Sequence, residues 1–290
     1  MAHKKSLPVL VFIILCLIWG STWVFIKVGL QDAPPFLSAG FRFLIAAILL
    51  YPFMRAKGLR IPTNWKILSL MVYTGIFAVS ISYGLVYWSE QYISAGLTAI
   101  LFSTFPFFVL FLTHFMIADD KLSLVKVLGS VVGFSGVVII FIGNLTIANS
   151  MAVFGTAGII ISAIFAAISS VVIKKNSELL NPIVLTVVHM ICGAITLLIV
   201  GFIFENLSDF KITFRSIGTL LYLAILGSCV AFICYYWLIS KIKLSKAALI
   251  VFIIPIIALL LEWLWLGQAL NWQVFLGSGL VLSGVGITNR

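Results

Sequence analysis

The chain has 290 residues, of which 63% are hydrophobic and only 9% charged. A soluble domain carries about 25% charge, so this chain cannot clothe itself in a hydrated surface, and the apolar runs that fill it leave no room for an extramembrane catalytic or DNA-binding domain. Its 18 Lys and Arg against 8 Asp and Glu are scattered in short clusters between those runs, a pattern that orients helices in a bilayer rather than one that grips nucleic acid.

In chain order the predicted spans are 7–29, 36–54, 66–88, 93–117, 125–143, 152–173, 182–204, 216–240, 245–266 and 271–289. Each approaches the length needed to cross a hydrocarbon core of about 30 Å. The first run follows Lys4 and Lys5 as a signal peptide would, but it continues to Gly29 without a small-residue cleavage site and reads as a retained helix. Asp32, Pro34 and Pro35 end the first span, and Gly58 and Pro62 separate the second from the third. Asn144 and Asn149 stand between the fifth and sixth, and Asn181 and Pro182 open the seventh. Cys16, Cys192, Cys229 and Cys234 all lie within apolar runs, without CxxC spacing. They read as packing residues, and neither a metal nor a cofactor is implied.

With the N-terminus in the cytoplasm, fourteen of the 18 basic residues fall on the inner side, including Lys4, Lys5, Arg55, Lys57, Arg60, Lys121, Lys174, Lys175, Lys241 and Lys243. The positive-inside rule therefore predicts a multi-pass protein of the cell membrane with both termini cytoplasmic.

The second half repeats the first. At an offset of 147, Lys27 falls on Lys174, Pro35 on Pro182 and Arg42 on His189; at 149, Tyr87 and Trp88 fall on Tyr236 and Trp237, and Pro106 on Pro255. Five spans is an odd number, so the copies have opposite topology. The expected fold is all-α and polytopic, ten transmembrane helices as two inverted five-helix repeats, 1–146 and 147–290. Two copies that exchange unequal conformations convert an inward-open cavity into an outward-open one, which argues for a transporter.

The run from Trp19 through Gly20, Ser21, Thr22, Trp23, Val24, Phe25 and Ile26 to Lys27, followed by Pro34, Pro35, Arg42 and Phe43, resembles the opening of an EamA-type repeat of the drug/metabolite transporter superfamily. So do Ala95, Gly96 and Leu97 leading to Pro106, and, in the second half, Pro255, Gly267, Leu270 and Trp272. The resemblance implies export or exchange of small metabolites or drugs through a central cavity. One departure is Gln268, where an acidic residue often follows the glycine before the last helix; its first-half counterpart is Asp119 or Asp120.

No catalytic constellation and no nucleotide-binding glycine loop is visible. The chain reads as a non-enzyme driven by a solute gradient or by protons. Ionisable residues in apolar runs then need explanation, because burying each costs a few kcal/mol. Arg42 reads either as a cavity cation that meets a substrate carboxylate or as a structural arginine on helix-end carbonyls. His189 reads as a packing residue or as a substrate or proton group, and Lys27 and Lys174 as interfacial anchors. Glu262, near the outer end of the ninth span, is the first candidate for proton coupling, with His189 and Glu90 as further ones. Trp19, Ser21, Tyr83, Tyr87, Trp88, Tyr235 and Tyr236 are candidates for lining the pathway, or for an interface belt. Pro106 and Pro255 are candidate hinges, each expected to kink an apolar helix. The function expected is a secondary exporter of small metabolites such as amino acids or amphiphilic drugs by alternating access, with the bilayer, a small-molecule substrate and protons as its partners. The alternative is a membrane-embedded scaffold or enzyme that uses the repeat only for packing.

Overall fold

The computed structural model describes residues 3–141, 150–266 and 272–288; the side chain of Glu262 lies outside the described residues. All regular structure among them is helical. We number ten helices: α1 His3–Gly29, α2 Pro35–Ala56, α3 Trp65–Ser89, α4 Ala95–Met116, α5 Leu124–Phe141, α6 Ser150–Lys175, α7 Pro182–Phe204, α8 Phe214–Lys241, α9 Leu244–Leu266 and α10 Trp272–Thr288. Seven of them have the length and apolar composition to cross a membrane, and three shorter apolar ones, from α5, α9 and α10, complete the set.

The helix starts follow local chemistry. Pro35 and Pro182 occupy the first turns of α2 and α7, where a missing N–H costs nothing. Asn181 caps α7 by accepting from the Ile183 and Val184 amides, Ser94 caps α4 through Leu97, and Thr213 and Ser216 form a reciprocal cap on α8. Within α3 and α8 the helix widens into π turns at Ile76–Ile81 and Ile225–Val230. These two segments stand 149 residues apart, at equivalent places in the two copies.

Packing follows the same two-fold logic. The most extensive contacts pair α5 with α10 and α2 with α7, each helix with its own copy; α1 packs on α9 as α6 packs on α4, and α3 on α6 as α8 on α1. The α5–α10 pair is close enough that a Cβ on Gly136 would lie 2.5 Å from the Gly277 carbonyl oxygen, and a Cβ on Gly277 the same distance from that of Gly136. Backbone meets backbone there, which is how small residues hold helices together without a hydrophobic driving force.

The two hinge candidates differ. Pro255 lies inside the second piece of α9, Ile250–Leu266, as expected. Pro106 does not kink a continuous helix: α4 breaks at Ser103 and Thr104, and Pro106 sits in the first turn of the piece that restarts at Phe105. A proline ring is tolerated there because the helix has not yet formed the bonds it would remove. In α9 the break comes earlier relative to the proline, between Leu244–Ala247 and Ile250.

Candidate functional site

A cavity lies on the axis between the halves. It is walled by three helices of the first copy (α1, α3, α4) and the equivalent three of the second (α6, α8, α9), with about 90 Å³ of it open to the centre of a water molecule, room for a few waters. Trp19, Thr22, Trp23 and Ile26 line it from α1, Ser82, Tyr83 and Val86 from α3, and Phe232, Tyr235 and Tyr236 from α8. The aromatic rings brace one another: Trp19 packs on Tyr235 with centroids 5.2 Å apart, Trp23 on Phe102 at 5.4 Å and Tyr83 on Phe232 at 5.7 Å.

Most polar groups of this wall are already bonded within the protein. Thr22 Oγ1 donates to the Trp19 carbonyl, Ser82 bonds Ser162, Ser169 donates to the Thr74 carbonyl, and Tyr235 donates to Ser170. The indole N–H groups of Trp19 and Trp23 are the exception, buried with no hydrogen-bond partner. No Asp, Glu, Lys, Arg or His lines the cavity among the described residues.

Of the pathway candidates, Trp19, Tyr83, Tyr235 and Tyr236 meet in this cavity. The others stand elsewhere. Ser21 donates to the Ile18 carbonyl and bonds the Tyr222 hydroxyl at 2.6 Å. Trp88 faces the vestibule and groove beside α3, and Tyr87 is fully buried.

Arg42 and His189 belong to α2 and α7, which stand behind the cavity wall, and both are fully buried. Arg42 Nε donates to Ser228 Oγ at 2.8 Å, Nη1 to the Tyr87 hydroxyl at 3.1 Å and Nη2 to the Gly227 carbonyl at 3.2 Å. That carbonyl lies within the π turn of α8, a feature frequent at functional sites. The guanidinium lies 5.0 Å from the Tyr83 ring centroid, so the tyrosine stands between it and the cavity. In this conformation the guanidinium is held by Ser228 and Gly227 of the other half and by Tyr87 of its own, not by helix-end carbonyls.

His189 Nδ1 bonds the Tyr236 hydroxyl at 2.6 Å, and Nε2 lies 3.0 Å from Thr74 Oγ1. With the Thr74 hydrogen given to the Leu70 carbonyl at 2.8 Å, a neutral ring that donates from Nε2 and accepts at Nδ1 satisfies every partner. His189 thus backs the cavity tyrosine Tyr236 as Arg42 backs Tyr83. Sequence reading missed Ser228, Gly227 and Thr74; the only trace they leave is small and polar residues inside an apolar helix.

Both lysines bond main-chain carbonyls of their own repeat. Lys27 donates to the carbonyls of Glu90 and Ile93, the latter at 3.0 Å, and Lys174 donates to the carbonyl of Ile242 at 3.0 Å. Ile93 and Ile242 are equivalent positions, 149 residues apart. Each lysine therefore ties the end of the first helix of its repeat to the loop between the third and fourth, and the two ties lie at opposite ends of the cavity.

Further clasps accompany each tie. At the end rich in lysine, which we call the basic face, Asp120 accepts from the Ser245 amide at 2.9 Å, from Ser245 Oγ at 2.5 Å and from Lys126 at 2.7 Å. Burial works to raise the Asp120 pKa, but these bonds outweigh it and leave it below its ordinary value. At the opposite face Arg215 grips Asp32 at 2.6 and 2.7 Å, and Thr213 adds a bond at 2.7 Å; the Arg215 bonds first, then Thr213, hold the Asp32 carboxyl at about 2. Glu205 accepts from the Phe36 and Leu37 amides at the start of α2, yet its partial burial keeps it above the usual carboxylate value. A vestibule of about 740 Å³ opens there between the loops.

Two inverted halves that contribute equivalent helices to one aromatic cavity, tied at each end by equivalent lysines, define a polytopic membrane protein of the inverted-repeat transporter class. Comparison with known proteins makes this specific. The model of the EamA-like transporter family matches residues 6–142 and again 153–290, and the chain belongs to that family. It is 30% identical to the uncharacterized transporter YoaV of Bacillus subtilis over 93% of this chain and 92% of that one. It is 29% identical to the uncharacterized inner membrane transporter YedA of Escherichia coli, covering 98% and 92% respectively. A crystal structure with 15% sequence identity superposes with a TM-score of 0.81 over 97% of this chain and 96% of the other, which shows the shared fold.

Proposed function

We propose that this membrane transporter is a secondary exporter in the cell membrane, its basic face in the cytoplasm, carrying small amphiphilic solutes by alternating access through the cavity between its repeats. The observation that carries the reading is the pair of equivalent ties, Lys27 to Ile93 and Lys174 to Ile242, at opposite ends of one cavity. Releasing one while keeping the other opens the cavity to one side only. The inner membrane named for the Escherichia coli relative is the location we extend to this chain.

The wall favours one class of cargo. It offers many aromatic faces, no carboxylate among the described residues, and two unpartnered indole donors. Behind Tyr83 stands a buried guanidinium without an ion pair among the described residues. This field disfavours a permanent organic cation and suits a neutral or zwitterionic solute with an apolar or aromatic body and a hydrogen-bond acceptor, amino acids among them. Reconstituted liposomes tested with labelled amino acids, neutral amphiphiles and quaternary ammonium compounds should show flux of the first two groups over the third. Flux of cations alone would reverse the cargo assignment. Absence of any flux from folded protein would favour a scaffold or enzyme instead.

A further inference from the structure

The cavity and the vestibule are separated by a short plug. On α1, Ile26 lines the cavity, and Leu30 just past its end lines the vestibule; on α3, Val86 lines the cavity, and Gln91 just past its end lines the vestibule. The pairs are four and five residues apart, about 6 to 8 Å of rise at helical spacing. Lys27 and Glu90 occupy the turns in between. The Lys27 ammonium bonds the Glu90 main-chain carbonyl, but the Glu90 side chain is fully buried and neither carboxyl oxygen has a hydrogen-bond partner. Ser89 Oγ beside it is equally unpartnered.

A buried carboxylate without hydrogen bonds or a contact ion pair is among the costliest arrangements in a protein, whereas the neutral acid is far cheaper to bury. The groups that face Glu90 do not reverse this. Lys27 from α1 spends its hydrogen bonds on carbonyl oxygens, Arg42 from α2 is bonded to Ser228, Tyr87 and Gly227, and Tyr87 lies one turn back on α3 itself. Across from this end of α3, α6 approaches through Gly155 and Gly158 and brings no titratable side chain. In the second repeat the equivalent position is Ile239, also fully buried, so the fold itself has no need of an acid there.

We propose that Glu90 is a proton-binding site that gates the outer end of the pathway: the plug closes around the neutral acid and opens around the hydrated carboxylate. This rests on the reading of the central cavity as the pathway and of the basic face as cytoplasmic. Closing takes one proton from the outer solution onto the carboxylate, and reopening returns it, so no other reactant is required. The closed form binds the proton more tightly. Acid outside therefore holds the outer end shut, and that preference is lost as the pH rises.

The test is a distance measurement between spin labels placed at Gln91 and Leu207, exposed residues of the α3–α4 and α7–α8 loops, in cysteine-free protein in liposomes from acid to alkaline pH. In the otherwise wild-type chain the open-to-closed ratio should rise by up to about tenfold per pH unit across one transition. Glu90→Gln should stay closed at every pH, and Glu90→Asp should keep a transition. Glu90→Ile, which copies position 239, serves as the second variant should the glutamine chain fail to fold. A wild-type ratio that ignores pH, or a Gln or Ile variant that retains the wild-type transition, would overturn the gate. No cargo is needed. Solute flux with pH-independent distances counts against the gate alone, and a pH transition without flux of any solute counts against the transport reading alone.

Discussion

Arg42 and His189 occupy one station in two copies of the same helix. Both are fully buried, both bond the tyrosine of their own repeat (Tyr87 or Tyr236), and both reach into the third helix of the other repeat near its π turn. They diverge in charge and in valence. Arg42 is permanently cationic and holds three acceptors with three different nitrogens, whereas the imidazole of His189 is satisfied as a neutral ring by two hydroxyls. Inverted duplication thus kept the scaffold and let the chemistry differ. The first-repeat station carries a guanidinium, and the second an imidazole behind a cavity tyrosine.

The comparison breaks most visibly at Arg42. Arg42→Ala leaves the Tyr87 hydroxyl, Ser228 and the Gly227 carbonyl without their partner, and should cost about 3 kcal/mol or more in thermal or denaturant unfolding, with transport lost as well. Arg42→Lys should recover little, because one ammonium cannot reach three acceptors spread over α3 and α8. Unfolding that matches the wild type in the alanine variant would contradict the structural role.

The next effect concerns the two ties. Lys27→Gln should raise labelling of a cavity cysteine at position 86 from the outer side by about tenfold, and Lys174→Gln should raise it from the cytoplasmic side, since each loses a charge-assisted bond of one to a few kcal/mol. Equal changes from both sides in both variants would show that the ties do not act as opposite gates.

His189→Phe sharpens the contrast within the repeat. It should cost only about 1–2 kcal/mol, because it strands two hydroxyls but no charge. A loss as large as that of Arg42→Ala would erase the distinction drawn between the stations.

The smallest effect is the acid response of the clasp opposite the basic face. Asp32 is held at about 2, against an ordinary 3.8, by Arg215 first and Thr213 second. A depressed carboxyl stabilises the fold above its ordinary value and ceases to do so as the pH falls through the depressed one. The difference in melting temperature between wild type and Asp32→Asn should stay constant from neutral pH to about 4 and close only as the pH falls toward about 2. A difference that closes already near pH 5 would remove Arg215 as the cause.

Membrane residence, the ten helices and the duplication were legible in the sequence because each is written in local or periodic signals: apolar length, proline and asparagine at helix starts, and residues such as Lys27 and Lys174 recurring at a fixed offset. The aromatic candidates Trp19, Tyr83, Tyr235 and Tyr236 were legible for the same reason. What the sequence could not set was which face of each helix turns inward. That placed Arg42 and His189 behind the wall rather than in it, gave Lys27 and Lys174 loop carbonyls as partners, and put Pro106 after a helix break instead of within a kink. It also created Glu90's environment: a glutamate at the end of a span looks the same in sequence whether water or protein covers it. Burial and partnership are properties of helices meeting across more than a hundred residues of chain, as Arg42 meets Ser228 and Asp120 meets Ser245, and only the packed tertiary structure decides them.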